Sequence, residues 1–367
     1  MRGYGGIMLD ASTITMHQLI DVGYELKASD VMVKGGSRPF MKKDSQVQPM
    51  PGEWPVIDPV NAHRMITELM TDRQKDHFAA HHEMDLGFNV GNHCRVRTNV
   101  YKQRGVTAAV CRIIPLTIRS LEELGMPASL AEVVKHRQGL VLVTGPTGSG
   151  KTTTLAAMID IINRSRKAHI VTVEDPLEFV HQDKEAYISQ REVGIDTDDF
   201  EPALRAVVRE APDVILIGEM RDIKTMNVAL QAGETGHLVF STVHTSSAYE
   251  TLDRIINMFP PHEKNHLCLR LAGSLRAIIA QKLVPRADGE GRVAACEILV
   301  ASPTVSKKIE DGHFTDLYDL MREPDNYWGM QTMNQSLVKH VKDGIITAET
   351  AMQYAGILSE LKQMLRR

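Results

Sequence analysis

Two hydrophobic patterns divide this chain. Up to about Pro115 apolar and polar positions alternate in short runs, whereas beyond it continuous apolar runs take over. Asp30–Lys34 alternates and stops at Gly35-Gly36, which predicts a short strand and a turn. Arg95–Gln103 alternates again, and after Arg104-Gly105 comes a second run, Thr107–Ile114; the pair predicts an antiparallel hairpin. Asn61–Asp76 spaces Met65, Ile66, Leu69 and Met70 as one face of a helix. These elements make a small α+β unit.

The later pattern differs. Leu140–Thr144, His169–Glu174, Val214–Glu219 and Leu238–Val243 are apolar nearly throughout, and segments such as Thr152–Asn163 and Pro202–Glu210 between them are long enough for helices. Apolar strands alternating with helices predict a parallel sheet covered on both faces, an α/β fold. Leu116–Pro127, bracketed by Pro115 and Pro127, reads as the connection, with Leu121–Gly125 one helical turn ended by glycine. The expected domains are therefore residues 1–115, a linker 116–127, and 128–367. Beyond about Ala301 the chain turns helical and more polar, ending in the amphipathic Ile357–Leu365.

Gly145-Pro146-Thr147-Gly148-Ser149-Gly150-Lys151-Thr152 matches the phosphate-binding pattern GxxxxGK[ST] in full, and Thr153 follows in the next turn. Glycines let the backbone wrap phosphate oxygens with its N–H groups inward, and the next helix offers its positive end to the same anions. Lys151 reaches the terminal phosphates as a point charge, and the Thr152 hydroxyl suits Mg²⁺. A strand before the loop and a helix after it complete the context for ATP binding.

Such a site also needs an acid near Mg²⁺ and a group that orients the attacking water. Ligands gather where parallel strands end. In Asp213–Glu219 the two acids stand about 20 Å apart at strand rise, so only Glu219 faces the nucleotide. Glu174, Asp175 and Glu178 all lie at or past the end of His169–Glu174, and any of them can orient water. By the same rule His244 lies near the phosphates, where an imidazole can sense the γ-phosphate, and His237 lies near the opposite end. Arg95, Arg97, Arg104 and Arg112 fall in the first unit's hairpin; either they form a solvated sheet face or one is delivered to the transition state. Arg205 and Arg209 stand one helical turn apart, suited to an interface or to surface ion pairs.

Composition changes this picture little. At 367 residues the chain is longer than one core usually supports. A net charge of −4 gives no general pull toward nucleic acid, which weighs against a RecA-type DNA motor. The four cysteines are scattered without a CxxC pair, which reads as free buried thiols in a reducing compartment rather than a zinc site. No stretch approaches the roughly 20 apolar residues of a membrane span, and no LSGGQ transporter signature is present.

In order and spacing, four boxes resemble the secretion ATPase superfamily, and within it the PilT/PilU-like retraction ATPases of type IV pili. They are Gly145–Thr152, Glu174–His181 (its aspartate box), Arg209–Asp222 (its Walker B region) and Gly236–Ser246 (its histidine box). Weaker likeness lies in Ser29-Asp30-Val31 and Arg95–Gly105. The resemblance implies a PAS-like N-terminal domain, a RecA-like ATPase domain and a cytoplasmic homohexamer binding ATP and Mg²⁺ between domains at a subunit interface. It implies Glu178 as general base, Glu219 as the Walker B glutamate, His237 and His244 as the box histidines, and Arg97 and Arg112 as the N-terminal-domain arginines. The implied work is pilus retraction and twitching motility, with an inner-membrane platform protein and a paralogous pilus ATPase as partners, no nucleic acid and no insertion into the membrane. Pilus-extension and type II secretion relatives carry a four-cysteine zinc module and a longer N-terminus, so their absence favours the retraction branch. Thr304–Ile309, after Ser302-Pro303, departs from the alanine-isoleucine-arginine start of the retraction motif.

Overall fold

The alternating runs of the first unit, Met1–Thr117, close into one antiparallel sheet ordered β3-β2-β1-β6-β5-β4. Its strands are β1 Asp30–Lys34, β2 Phe40–Lys43, β3 Gln46–Pro49, β4 Glu83–Val90, β5 Cys94–Gln103 and β6 Val106–Pro115; its helices are α1 Met16–Glu25, α2 Pro59–Thr67 and α3 Asp72–His81. The computed structural model describes residues 11–43, 46–323 and 327–366. Leu19 and Ile20 of α1, Met65 and Ile66 of α2, and Val31, Val96, Val100 and Cys111 of the sheet are buried together.

The expected hairpin is present, with β5 and β6 in register from Cys94 opposite Pro115 to Gln103 opposite Val106. Arg104 and Gly105 both take positive φ, 49° and 80°, as a tight turn between right-twisted strands requires. The helical spacing over Asn61–Asp76 proves to be two helices rather than one. Thr71 ends the first run by capping a new helix: its Oγ1 accepts from the Gln74 N–H, and Gln74 Oε1 accepts from the Thr71 N–H.

The second unit, Ile118–Arg367, holds a sheet ordered β13-β12-β7-β11-β10-β8-β9. The apolar runs are β7 Gly139–Thr144, β8 His169–Glu174, β10 Val214–Ile217 and β11 Leu238–Val243; β7, β10 and β11 are buried along their whole length, as expected of strands covered on both faces. Three further strands, β9 Tyr187–Glu192, β12 Leu275–Pro285 and β13 Arg292–Val300, extend the sheet beyond the sequence reading. Every neighbouring pair runs parallel except β12 with β13. The intervening helices are α4 Ser129–Val133, α5 Lys151–Ser165, α6 Phe200–Val207, α7 Ile223–Glu234, α8 Ala248–Met258 and α9 Lys264–Ser274.

Leu121 and Met126, read from sequence as part of a connection, are buried in the core of this second unit, so most of the segment packs with it. Beyond Ala301 come α10 Pro303–Glu310, α11 Leu317–Arg322, α12 Met333–Lys342, α13 Ala348–Tyr354 and α14 Leu358–Met364. Leu337, Ala351 and Leu361 of the last three close a smaller core against Val284 and Val293. All four cysteines are free and buried. Among the described residues no helix is long and apolar enough to cross a membrane.

Candidate nucleotide site

The glycine-rich loop joins β7 to α5 at the carboxyl end of the sheet, where strand order brings β7 between β11 and β12. Gly145 takes φ +148°, and a Cβ there would lie 2.4 Å from the Gln281 carbonyl oxygen and 2.5 Å from Ser149 Oγ. Only glycine fits. Helices α6, α7 and α8 are capped by the side chains of Asp199, Asp222 and Ser247, whereas α5 starts at Gly150 without a side-chain cap. Its first N–H groups, around Lys151, Thr152 and Thr153, are thus left for an anion, and the helix dipole adds positive potential there. Lys151 is buried and lies along the loop, its Nζ donating to the carbonyls of Gly145 at 2.9 Å and Pro146 at 3.1 Å. Burial pulls its pKa down, and the charges of Glu219 and Glu178 oppose that, which puts both carboxylates within electrostatic reach of the ammonium.

Beyond the end of β10, Glu219 bonds to two partners. Its Oε1 lies 3.2 Å from His244 Nε2 and its Oε2 2.8 Å from an Arg221 guanidinium nitrogen. His244 follows β11 directly, and Arg254 of α8 donates to its carbonyl oxygen at 2.9 Å. Glu174, the last residue of β8, is almost fully buried; burial drives its carboxyl up to about 7, opposed by the neighbouring polar side chains of Thr172 and Gln190. Lys151, Glu174, Glu178, Glu219 and His244 therefore gather at the carboxyl ends of neighbouring strands.

Other acids and histidines fall away from it. Asp213 sits before β10 and accepts the His169 N–H at 2.8 Å, as its place at the strand start predicts. His237, one of the two box histidines by resemblance, lies at the entry of β11, where its Nδ1 is 3.0 Å from the Ala232 carbonyl oxygen and its own carbonyl accepts from Gly139. Strand length separates it from His244, so only His244 joins the site. Arg97 and Arg112 are directly opposite each other across β5 and β6 in the first unit's sheet. Arg112 reaches the buried Asp30 at 3.2 Å but keeps an exposed side chain. Arg205 makes an i,i+4 pair with Glu201 at 2.7 Å.

Gln281 of β12 escaped the sequence reading. It is buried, its Nε2 donates to the Ser149 carbonyl at 2.8 Å, and its Oε1 accepts from Thr154 Oγ1 at 2.7 Å, so one amide joins the loop to the first turn of α5. The trace in sequence was a glutamine directly after the apolar run Ala277–Ala280. Beside Thr153, Thr154 and Gln281 opens a cavity of about 340 Å³, lined also by Arg119, Leu283 and Arg286. A volume of that size suits a small organic ligand.

Residues 62–310 match the family model described as type II/IV secretion system protein. A twitching motility protein of Neisseria gonorrhoeae is 47% identical over 291 residues, covering 79% of this chain and 78% of that protein. A type IV pilus retraction ATPase, PilT, of Pseudomonas aeruginosa is 42% identical over 330 residues, covering 90% and 95%. The crystal structure of a pilus retraction motor PilT with bound ADP superposes with a TM-score of 0.88 at 39% identity, covering 95% of this chain and 99% of that one. An uncapped helix behind a glycine loop, acids and a histidine at the same strand ends, and these likenesses agree: the chain belongs to the type II/IV secretion system protein family.

Proposed function

We propose that this chain hydrolyses ATP to retract a type IV pilus, working as a cytoplasmic homohexamer at the inner-membrane face of the pilus base. The observation that carries the proposal is the gathering of Lys151, Glu178, Glu219 and His244 at one end of a parallel sheet beside an uncapped helix. Relatives named for twitching motility and pilus retraction, similar over most of their length, support the process, and the motor solved with ADP supports the nucleotide. The fold is then a RecA-like ATPase core with a helical C-terminal extension, which takes in most of residues 118–127 at its start, preceded by a PAS-like domain over 1–115.

In this reading the N–H groups of Gly145–Thr153 and the Lys151 ammonium hold the phosphates. Glu178 orients a water and takes its proton as the oxygen attacks the γ-phosphorus. The bond to the β–γ bridging oxygen breaks, and ADP and inorganic phosphate result. The Thr152 hydroxyl and the Glu219 carboxylate, the latter within electrostatic reach of Lys151, are hard oxygen donors that would hold Mg²⁺, which would supply charge neutralisation at the phosphate oxygens. His244, already bonded to Glu219, changes partner when the γ-phosphate leaves and carries the end of β11 with it. Arg97 and Arg112 add positive charge at the transition state from a neighbouring copy. Partners are the membrane platform protein of the pilus and a paralogous pilus ATPase.

Glu178→Gln tests the assignment: ATP binding persists and most turnover disappears. Unchanged turnover moves the base to Glu174 or Asp175. Turnover stimulated by DNA points instead to a DNA motor, and host cells that lack the protein yet twitch with normal piliation exclude the pilus role.

A further inference from the structure

Glu178 lies in a stretch, residues 175–184, that contains neither helix nor strand, and among the described residues none of its main-chain groups pairs with other main chain. Side chains take up several of those groups instead. Glu174, at the end of β8, lies close enough to Glu178 for the two to act on each other electrostatically. Gln190 of β9 accepts the His181 N–H through Oε1 at 2.7 Å and donates from Nε2 to the Phe179 carbonyl at 2.9 Å. The same Nε2 reaches Glu174 Oε1 at 3.5 Å. Further along, Asn163 of α5 donates to the Gln182 carbonyl at 2.8 Å and accepts the Lys184 N–H at 3.1 Å.

The distribution of these bonds matters more than their number. Just past Glu178 the backbone is held through the carbonyl of the next residue and the N–H of His181. Gln190 supplies both of these bonds and also reaches Glu174, whose carboxyl lies within electrostatic reach of Glu178. A single amide therefore fixes the path of the backbone around Glu178, whose carboxylate stays within electrostatic reach of Lys151. The amide is well suited to this because it offers a donor and an acceptor on one rigid plane; a carboxylate or an apolar chain cannot make both bonds. Pairing of β8 with β9 sets its place, with Gln190 opposite Thr172 in the parallel register.

We propose that Gln190 is a positioning residue for hydrolysis, holding the irregular segment so that Glu178 meets the attacking water. This rests on the assignment of Glu178 as base. Gln190 touches no phosphate in this scheme, so nucleotide affinity is left alone while the chemical step is impaired. A base displaced by about 1 Å loses on the order of a hundredfold in rate.

The experiment is a double-mutant cycle on the full chain, read in single-turnover and steady-state ATPase assays. Gln190→Leu is expected to lower kcat by about 10- to 100-fold with KM within about threefold of the parent. In a Glu178→Gln background the same change is expected to cost less than about twofold, because the group it positions is already gone. Turnover of Gln190→Leu within twofold of the parent, or losses that simply multiply, overturns the proposal. Should Gln190→Leu fail to fold, Gln190→Glu keeps the acceptor for His181 and loses the donor to Phe179; it is expected to show a smaller kcat loss at the same KM, and parental kcat overturns the proposal equally. Failure of the base assignment shows separately, as parental turnover in Glu178→Gln alone.

Discussion

Replacing Gln281 with leucine should loosen the phosphate loop without touching a single phosphate contact. The substitution preserves most of the side-chain volume but removes the amide that accepts from Thr154 Oγ1 at 2.7 Å and donates to the Ser149 carbonyl at 2.8 Å. Both bonds are buried, so water cannot replace them. A buried polar group left without its partner costs about 1–3 kcal/mol. Thr154 has a way out, since its hydroxyl can turn back to the Gly150 carbonyl one helical turn earlier, as threonines in helices do. The Ser149 carbonyl is then the group left without its partner, which leaves a net cost of about 1–3 kcal/mol. Where that cost appears depends on whether the free loop relaxes. If it does, bound nucleotide must restore the shape and affinity falls, at about 1.4 kcal/mol per tenfold. If it does not, the cost shows as lower resistance to denaturant. The assay is therefore a pair: titration of a fluorescent ATP analogue, and denaturant unfolding without nucleotide. The two losses should sum to the figure above, and Thr154→Val should account for the smaller share. If Gln281→Leu moves neither quantity by more than about 0.5 kcal/mol, the bracing role is wrong.

Glu174→Gln should change how stability depends on pH. Burial raises the Glu174 carboxyl from its ordinary 4.5 to about 7, so between those values the unfolded chain gives up its proton first. The parent is then fully stabilised below about pH 4.5 and loses about 3 kcal/mol as pH rises toward 7, at roughly 1.4 kcal/mol per pH unit. Denaturation of parent and variant at pH 5 and pH 8 reads this directly, the glutamine variant gaining relative stability at the higher pH; equal differences at both values refute it. Arg97→Ala should cut turnover by about a hundredfold or more if that guanidinium meets the transition state, with little effect on folding. Arg112→Ala should do likewise but also destabilise the first unit slightly, because Asp30 is buried and loses its ion pair at 3.2 Å. Parental turnover in both variants would leave these arginines as a solvated sheet face.

Much of the fold was legible before any coordinates. The β5–β6 hairpin and the buried strands β7, β8, β10 and β11 announced themselves because strand burial imposes a short-range rule, period two on a half-covered sheet and continuous apolarity on a covered one. The phosphate loop was legible for the same reason: its glycines, lysine and threonine must be adjacent in the chain to wrap one anion. Asn61–Asp76 shows the limit of periodicity, since its apolar positions all fall before Thr71 and the polar Thr71–Asp76 carries no spacing that marks the second helix capped there.

Sequence by itself thus determined the nucleotide loop, the parallel core and the strand ends at which Glu178, Glu219 and His244 had to be sought, because each follows from residues close together along the chain. Tertiary structure alone decided which groups meet. Gln281 joins the loop across 127 and 132 residues, Gln190 holds a segment of another strand's making, and Glu219 pairs with His244 while His237 is left at the far end of the same strand. Contacts of that kind are set by sheet order and register, and no local pattern of apolar and polar residues encodes which strand lies beside which.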